Sequence, residues 1–300
     1  MDSIRRLIAR LALTLLVLLL PVSAMAEDKA DTGPQVRPAL WKVADRDTTI
    51  YLFGTVHVLP SGIDWYGGRI GQAFEASGEL VTEIAGEDAA RMQSIVGKTA
   101  LLPSGQTLRG MLDAPQRSRY EAALAGLGVS PAMFDRFEFW YAAIGLSTLP
   151  LVQDGYSPEN GVEKTLETRA QARKLPHSGL ETVEYQLGLF DGLPLASQKR
   201  YLAEVVDQLP TIKSELREMV DAWKHGDATR LAELMNAEAS DPVLIETLLI
   251  NRNRQWAGWI KRRMAKPGTV FMAVGAGHLA GPGSVQEQLS ARGLASTRLQ

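Results

Sequence analysis

Cysteine is missing altogether from this 300-residue chain. Disulfide staples are therefore excluded, and stability has to come from a packed core. Any metal would be held by His, Asp, Glu or Asn rather than by thiolate. A lipid-modified N-terminal cysteine is excluded as well. Long apolar runs are nearly absent: apart from Leu11–Leu20, no stretch reads as apolar enough to span a bilayer, and that one is short for a span. Positive charge is not in excess either. The net charge is −2 and there is no basic stripe, so the electrostatic footprint of a nucleic-acid binder is lacking. Neither a tandem repeat nor a low-complexity tract is present. Histidine is scarce, at four residues, which makes its placement informative.

What is there begins with a processing signal. Arg5, Arg6 and Arg10 form a basic region, Leu11–Leu20 an apolar one, and Ala24-Met25-Ala26 a small-x-small cleavage site. Residues 1–26 are expected to be a cleaved Sec-type signal peptide without a lipobox, followed by a polar, disordered leader over residues 27–38. The product is expected to be exported, to the periplasm in a Gram-negative cell, and to keep no stable membrane span. Losing Arg5, Arg6, Arg10 and Asp2 takes the net charge from −2 to −4. The rest of the chain is long enough to bury one large core or a closely fused pair.

Two of the four histidines sit in near-copies of each other at opposite ends of that core. The first is Leu52-Phe53-Gly54-Thr55-Val56-His57-Val58-Leu59, and the second is Ala273-Val274-Gly275-Ala276-Gly277-His278-Leu279-Ala280. An apolar run broken by glycine reads as a buried strand leaving its sheet, with an imidazole delivered just past the strand end. In open α/β sheets that carboxyl edge is where ligands bind. Each His also has a plainer reading, as a capping or core residue at a strand end.

The surrounding pattern supports an α/β (α+β) fold. Leu40–Val43 and Thr49–Phe53 flank a charged turn and read as a hairpin. Arg69–Ser77 reads as a helix and Glu79–Ile84 as a short buried strand. Helical spacing covers 114–127, 131–149, 160–173, 181–190, 197–224, 227–235 and 242–264, with a short strand over 174–178. The chain closes with strand 269–274, helix 283–292 and strand 295–299. Strands at both ends predict a split, mixed sheet core from residues 39–85 and 266–300, with a helical insert over about 86–265.

These residues resemble a known family, TraB/PrgY/GumN, which includes the Tiki proteases. The likeness rests on Leu40-Trp41-Lys42-Val43, Tyr51 to Val58, Val81-Thr82-Glu83, Gly161-Val162-Glu163, Gly179 to Gln186, Arg252 to Trp256, and Val274 to Gly281. In order and spacing they span essentially the whole region from residue 39 onward. The resemblance implies a fold similar to the erythromycin-esterase (EreA) and ChaN-like group, with the paired motifs and an acid forming one site. For the Tiki branch it implies metal-dependent peptide hydrolysis, for the esterases a His/Glu hydrolysis without obligatory metal, and for the ChaN-like proteins haem iron handling. Many family members carry Gly-x-Asp where this chain has Gly161-Val162-Glu163.

The expected site is therefore His57, Glu83 and His278. Two imidazoles and a carboxylate with open positions suit a divalent cation such as Zn, Mn or Co. Glu83 is read as a metal ligand or a free base, and its plain alternative is an ion pair with a nearby Arg. Arg252 is read as an oxyanion or substrate-carboxylate partner, or as a structural ion pair. Asn253, Glu163 and Glu181 are read as groups that bind substrate or orient His, with a helix-start charge as the plain reading for the two acids. His177, His225 and the helical tryptophans are read as structural. The expected function is an exported metal-dependent hydrolase, with a peptide or peptide-like substrate favoured over another small molecule. Its rivals are a metal-free esterase-like hydrolase and a non-enzymatic binder of haem, iron or peptide.

Overall fold

The computed structural model describes residues 36–86, 89–236 and 241–300; the expected signal peptide and all but the last residues of the leader lie outside them. Strands β1 (Leu40–Ala44) and β2 (Thr48–Thr55) form the anticipated antiparallel hairpin, with Asp45 Oδ1 accepting from the Asp47 and Thr48 amides in the turn. Helix α1 (Gly68–Glu75) and strand β3 (Glu79–Thr82) follow. The helical insert then contributes α2 (Ala89–Thr99), α3 (Ala114–Gly126), α4 (Phe139–Gln153) and α5 (Val162–Ala172). A three-residue strand, β4 (His177–Gly179), precedes α6 (Val183–Asp191), α7 (Leu195–Gln208), α8 (Ile212–Lys224), α9 (Ala228–Asn236) and α10 (Pro242–Ile245). A π-helical turn over Glu246–Ile250 joins α10 to α11 (Asn251–Arg263). The chain ends with β5 (Gly268–Gly275), α12 (Val285–Ser290) and β6 (Thr297–Arg298).

The sheet order is β4-β3-β5-β2-β1-β6. Strands β4, β3, β5 and β2 run parallel, while β1 is antiparallel to both of its neighbours. The C-terminal strand β5 is thus inserted between two N-terminal strands, which is the split mixed sheet expected from the sequence. Side chains alternate across it, as a strand period of two requires. Phe53, Leu80, Phe271 and Ala273 face one apolar layer, with Trp65, Phe74 and Trp223. Ile50, Leu52, Val81, Met272 and Val274 face the other, with Trp256 and Ile260. The insert has its own core around Trp140, Phe190 and Tyr201.

Local chemistry moves some boundaries. The helix expected from residue 131 starts at Phe139, because the backbone of 135–138 is hydrogen-bonded to residues 100–108 instead: Leu102 N–H donates to Arg136 O, Leu108 N–H to Asp135 O and Glu138 N–H to Ala100 O. The expected helix 197–224 is two helices, since Pro210 has no N–H to continue the ladder. Helix α2 was not legible in the sequence. At the start of the described chain, Arg37 N–H donates to Lys224 O and Gln300 Nε2 to Pro38 O.

Candidate functional site

In the parallel part of the sheet, β3, β5 and β2 are adjacent and end at one edge, with Thr82 beside Ala273 and Thr55 beside Gly275. Glu83, His278 and His57 all follow directly from those ends. The topology therefore brings the three expected residues to one place from positions scattered over the chain. Close approach is required there: a Cβ on Gly54 would stand 3.0 Å from Ala276 Cα, in the turn that carries His278.

The two Gly-x-x-His motifs then diverge. His278 lies in a 3-10 turn (Ala276–Leu279) and is turned inward, 1% exposed. Its ring packs on Trp256 with centroids 4.4 Å apart. Its Nε2 lies 3.1 Å from Arg252 Nη1, and its Nδ1 lies 2.6 Å from Asn253 Oδ1. A guanidinium cannot accept a hydrogen bond, so Nε2 must be the acceptor and Nδ1 must carry the proton. Asn253 agrees with that assignment, because its Nδ2 donates to Gly283 O at 2.8 Å and leaves Oδ1 to face the imidazole. Burial and then the Arg252 charge push His278 down to about 3, so the ring is neutral.

Arg252 is fully buried and all five of its N–H groups have acceptors. Nε donates to Glu181, Nη2 donates to Glu83 Oε2 at 2.6 Å and to Glu181 Oε2 at 2.7 Å, and Nη1 donates to Leu248 O and His278 Nε2. Leu248 belongs to the π turn, and its carbonyl accepts this side chain at 3.2 Å. Glu83 accepts three hydrogen bonds in all: Oε1 from Gly275 N–H at 2.7 Å, and Oε2 from Gln186 Nε2 at 3.0 Å as well as from Arg252. Burial alone would raise Glu83, but Arg252 foremost, then His278, His57 and the Gly275 amide, hold it down at about 2. Glu181 takes further bonds from Trp256 Nε1 and Gln186. An ion pair was the plain reading of Arg252 and of Glu83, and the two form one here; Glu181, read as a His-orienting group or a helix-start charge, joins the same buried network.

His57 lies outside that network, in the loop after β2. Its Nδ1 sits 2.7 Å from Glu163 Oε1, with side chains 18% and 22% exposed. Glu163 is in the first turn of α5, whose start is tied to the β2 end by Val162 N–H donating to Val56 O. The departure from Gly-x-Asp therefore still lets the acid reach the imidazole. Burial would lower His57, but Glu163 outweighs it with help from Glu83 and against Arg252, and the imidazole is pushed up to about 9. Four buried polar atoms here have no hydrogen-bond partner among the described residues: His57 Nε2, Thr55 Oγ1 and both Glu163 oxygens, of which Oε1 meets His57 Nδ1 as an ion pair. Thr55, inside the first motif, and Gln186 were not singled out in the sequence. Both lie inside motifs that carry the family likeness, which is the signal that could have found them; residue type alone does not mark them.

A divalent metal held by His57, Glu83 and His278 would need lone pairs that are already engaged. His278 Nε2 and Glu83 Oε2 both point at Arg252, Glu83 Oε1 accepts from the Gly275 amide, and of the two imidazoles only His57 has an open Nε2. Among the described residues, no three His, Asp or Glu side chains are arranged to hold a metal ion. The donor set does not fit the expected cation. Of the two remaining histidines, His177 Nε2 donates to Thr82 Oγ1 at 2.7 Å, since that hydroxyl is itself committed to Ile84 O. His225 Nδ1 meets Asp221 O at the end of α8. Both have structural partners.

A split mixed sheet, a large helical insert and a histidine–carboxylate edge define an α/β protein with one candidate site. Residues 39–298 match the model of the TraB/PrgY/gumN family, and the chain belongs to that family. It is 22% identical over 269 residues to an uncharacterized protein of Treponema pallidum, covering 85% of this chain and 80% of that one. It is 26% identical over 193 residues to uncharacterized protein YbaP of Escherichia coli, covering 63% and 70%, and the YbaP of Shigella flexneri matches equally. No solved structure matches. Among the described residues, no helix is long and apolar enough to cross a membrane.

Proposed function

We propose that this protein is a hydrolase of carbonyl substrates in which His57 and Glu163 form the proton-transfer pair. The observation that carries the reading is the state of the His57 ring: Nδ1 is held by a carboxylate while Nε2 is buried without a partner. An orphaned buried nitrogen is costly unless a ligand or water completes it. An imidazole with a carboxylate on one nitrogen and a free second nitrogen is the arrangement of a general base whose cationic form is stabilised from behind. Nε2 would take a proton from a water attacking the carbonyl and return it to the leaving group. Glu163 holds the tautomer and the charge. Glu83, one shell further in, adds negative potential without touching the substrate. Peptide or peptide-like substrates are favoured by the likeness of the motifs to the Tiki branch, and export by the signal-like N-terminus.

The test uses the chain without residues 1–26, assayed on a panel of fluorogenic peptides and chromogenic esters. His57→Gln should lower turnover by at least about a hundredfold, the usual contribution of a general base, with an unchanged melting temperature. A folded His57→Gln protein with wild-type turnover would overturn the reading. If no substrate in the panel is turned over but haem titration gives a Soret band that His57→Gln abolishes, the binding alternative takes its place.

A further inference from the structure

We propose that Arg252 is the resident cation of this site: its guanidinium fills the position that a divalent metal would take between His278 and Glu83, so the protein uses no metal there. The inference stands on the geometry of the buried network and holds whether or not His57 turns over a substrate.

Two carboxylates and an imidazole lone pair converging from three chain segments at a buried edge require a positive partner, because isolated buried charges are strongly disfavoured. A metal ion is one solution, and a planar guanidinium is another. This chain has the second. Arg252 Nη2 bridges Glu83 and Glu181 at 2.6 and 2.7 Å, and Nη1 reaches His278 at 3.1 Å. Asn253, anchored on Gly283 O, fixes the tautomer that turns the His278 lone pair toward Arg252. Trp256 backs both groups, with the guanidinium 4.8 Å from its ring centroid and the imidazole at 4.4 Å. All five donors are satisfied, and Leu248 O takes the one that the acids and His278 leave over. A metal entering this position would have to displace a fully paired, fully buried cation. A guanidinium is also permanently charged, so the site would keep its positive charge under chelation.

The experiment is zinc and manganese binding by calorimetry and elemental analysis, on untagged protein stripped with chelator and dialysed. Wild type is expected to show no stoichiometric uptake that His278→Ala removes. Arg252→Gln vacates the position, exposes the His278 and Glu83 lone pairs, and should take up about one zinc per chain. That uptake should raise its melting temperature and should vanish in the Arg252→Gln/His278→Ala double variant. Uptake of about one equivalent by wild type that His278→Ala abolishes would overturn the proposal. So would a folded Arg252→Gln protein that binds no more zinc than wild type. If Arg252→Gln does not fold alone, recovery of a cooperative melt on adding zinc counts for the proposal, and the wild-type measurement still decides against it.

Discussion

At the scale of single residues, two histidines from near-identical motifs end in opposite electrostatic states. His278 is surrounded by a guanidinium and an aromatic face and is held neutral, at about 3. His57 faces a carboxylate and is pushed up to about 9. The cause of the second shift is testable. Replacing Glu163 by Gln removes the charge that outweighs burial, and burial with Arg252 then dominates. NMR titration of the His57 ring should give a wild-type value near 9 and a Glu163→Gln value below the ordinary 6.5. A wild-type value left near 9 in Glu163→Gln would contradict the pairing. Catalysis should follow the same sign. With His57 as base, kcat/KM rises with pH until the ring loses its proton near 9, and in Glu163→Gln the rise moves to lower pH.

At the scale of elements, the site depends on how closely α5 is held against the end of β2. Gly161 precedes the helix, and a Cβ there would collide with the His57 carbonyl oxygen and stand 2.8 Å from Pro158 O. Both obstacles are backbone and cannot rotate away. Gly161→Ala is therefore expected to cost about 1–3 kcal/mol, as overpacking does, and to push His57 away from Glu163. Urea unfolding measures the first effect, and the His57 titration detects the second as a value below 9. Gly188, in the exposed part of α6 with open space around its Cβ position, is the control: Gly188→Ala should leave both unchanged or stabilise slightly.

For the whole molecule, the buried charges set how stability depends on pH. His57, raised from 6.5 to about 9, contributes fully below 6.5 and loses its contribution as pH climbs to about 9. His278, lowered from 6.5 to about 3, resists protonation in the folded state, so stability falls as pH drops below 6.5. Glu83, lowered from 4.5 to about 2, adds a further loss as pH falls through that window. The melting temperature should therefore peak near pH 6.5 and fall on both sides, and His57→Gln should flatten the alkaline side alone. At the peak, Arg252→Ala leaves Glu83 and Glu181 buried without their hydrogen-bonded cation. A loss of about 3–5 kcal/mol is expected, the usual result of removing one partner from a buried pair. A loss under about 1 kcal/mol would show that water reaches those carboxylates.

Much of this protein was readable from residue order alone. Periodicity and turn chemistry are local, so the hairpin, β5 and most helices follow from neighbouring residues, and the paired Gly-x-x-His motifs mark two strand ends. Glu163, Glu181, Arg252 and Asn253 were picked out only because they lie in motifs that resemble those of the family. What tertiary structure alone decided is which of these groups meet. Insertion of β5 between β3 and β2 put Glu83, His278 and His57 on one edge, and α11 carries Arg252, Asn253 and Trp256 to it. Whether a carboxylate is a base, a ligand or a counter-ion depends on the charge beside it in space. Here a guanidinium stands beside Glu83 and an imidazole beside Glu163, and no spacing along the chain encodes that exchange.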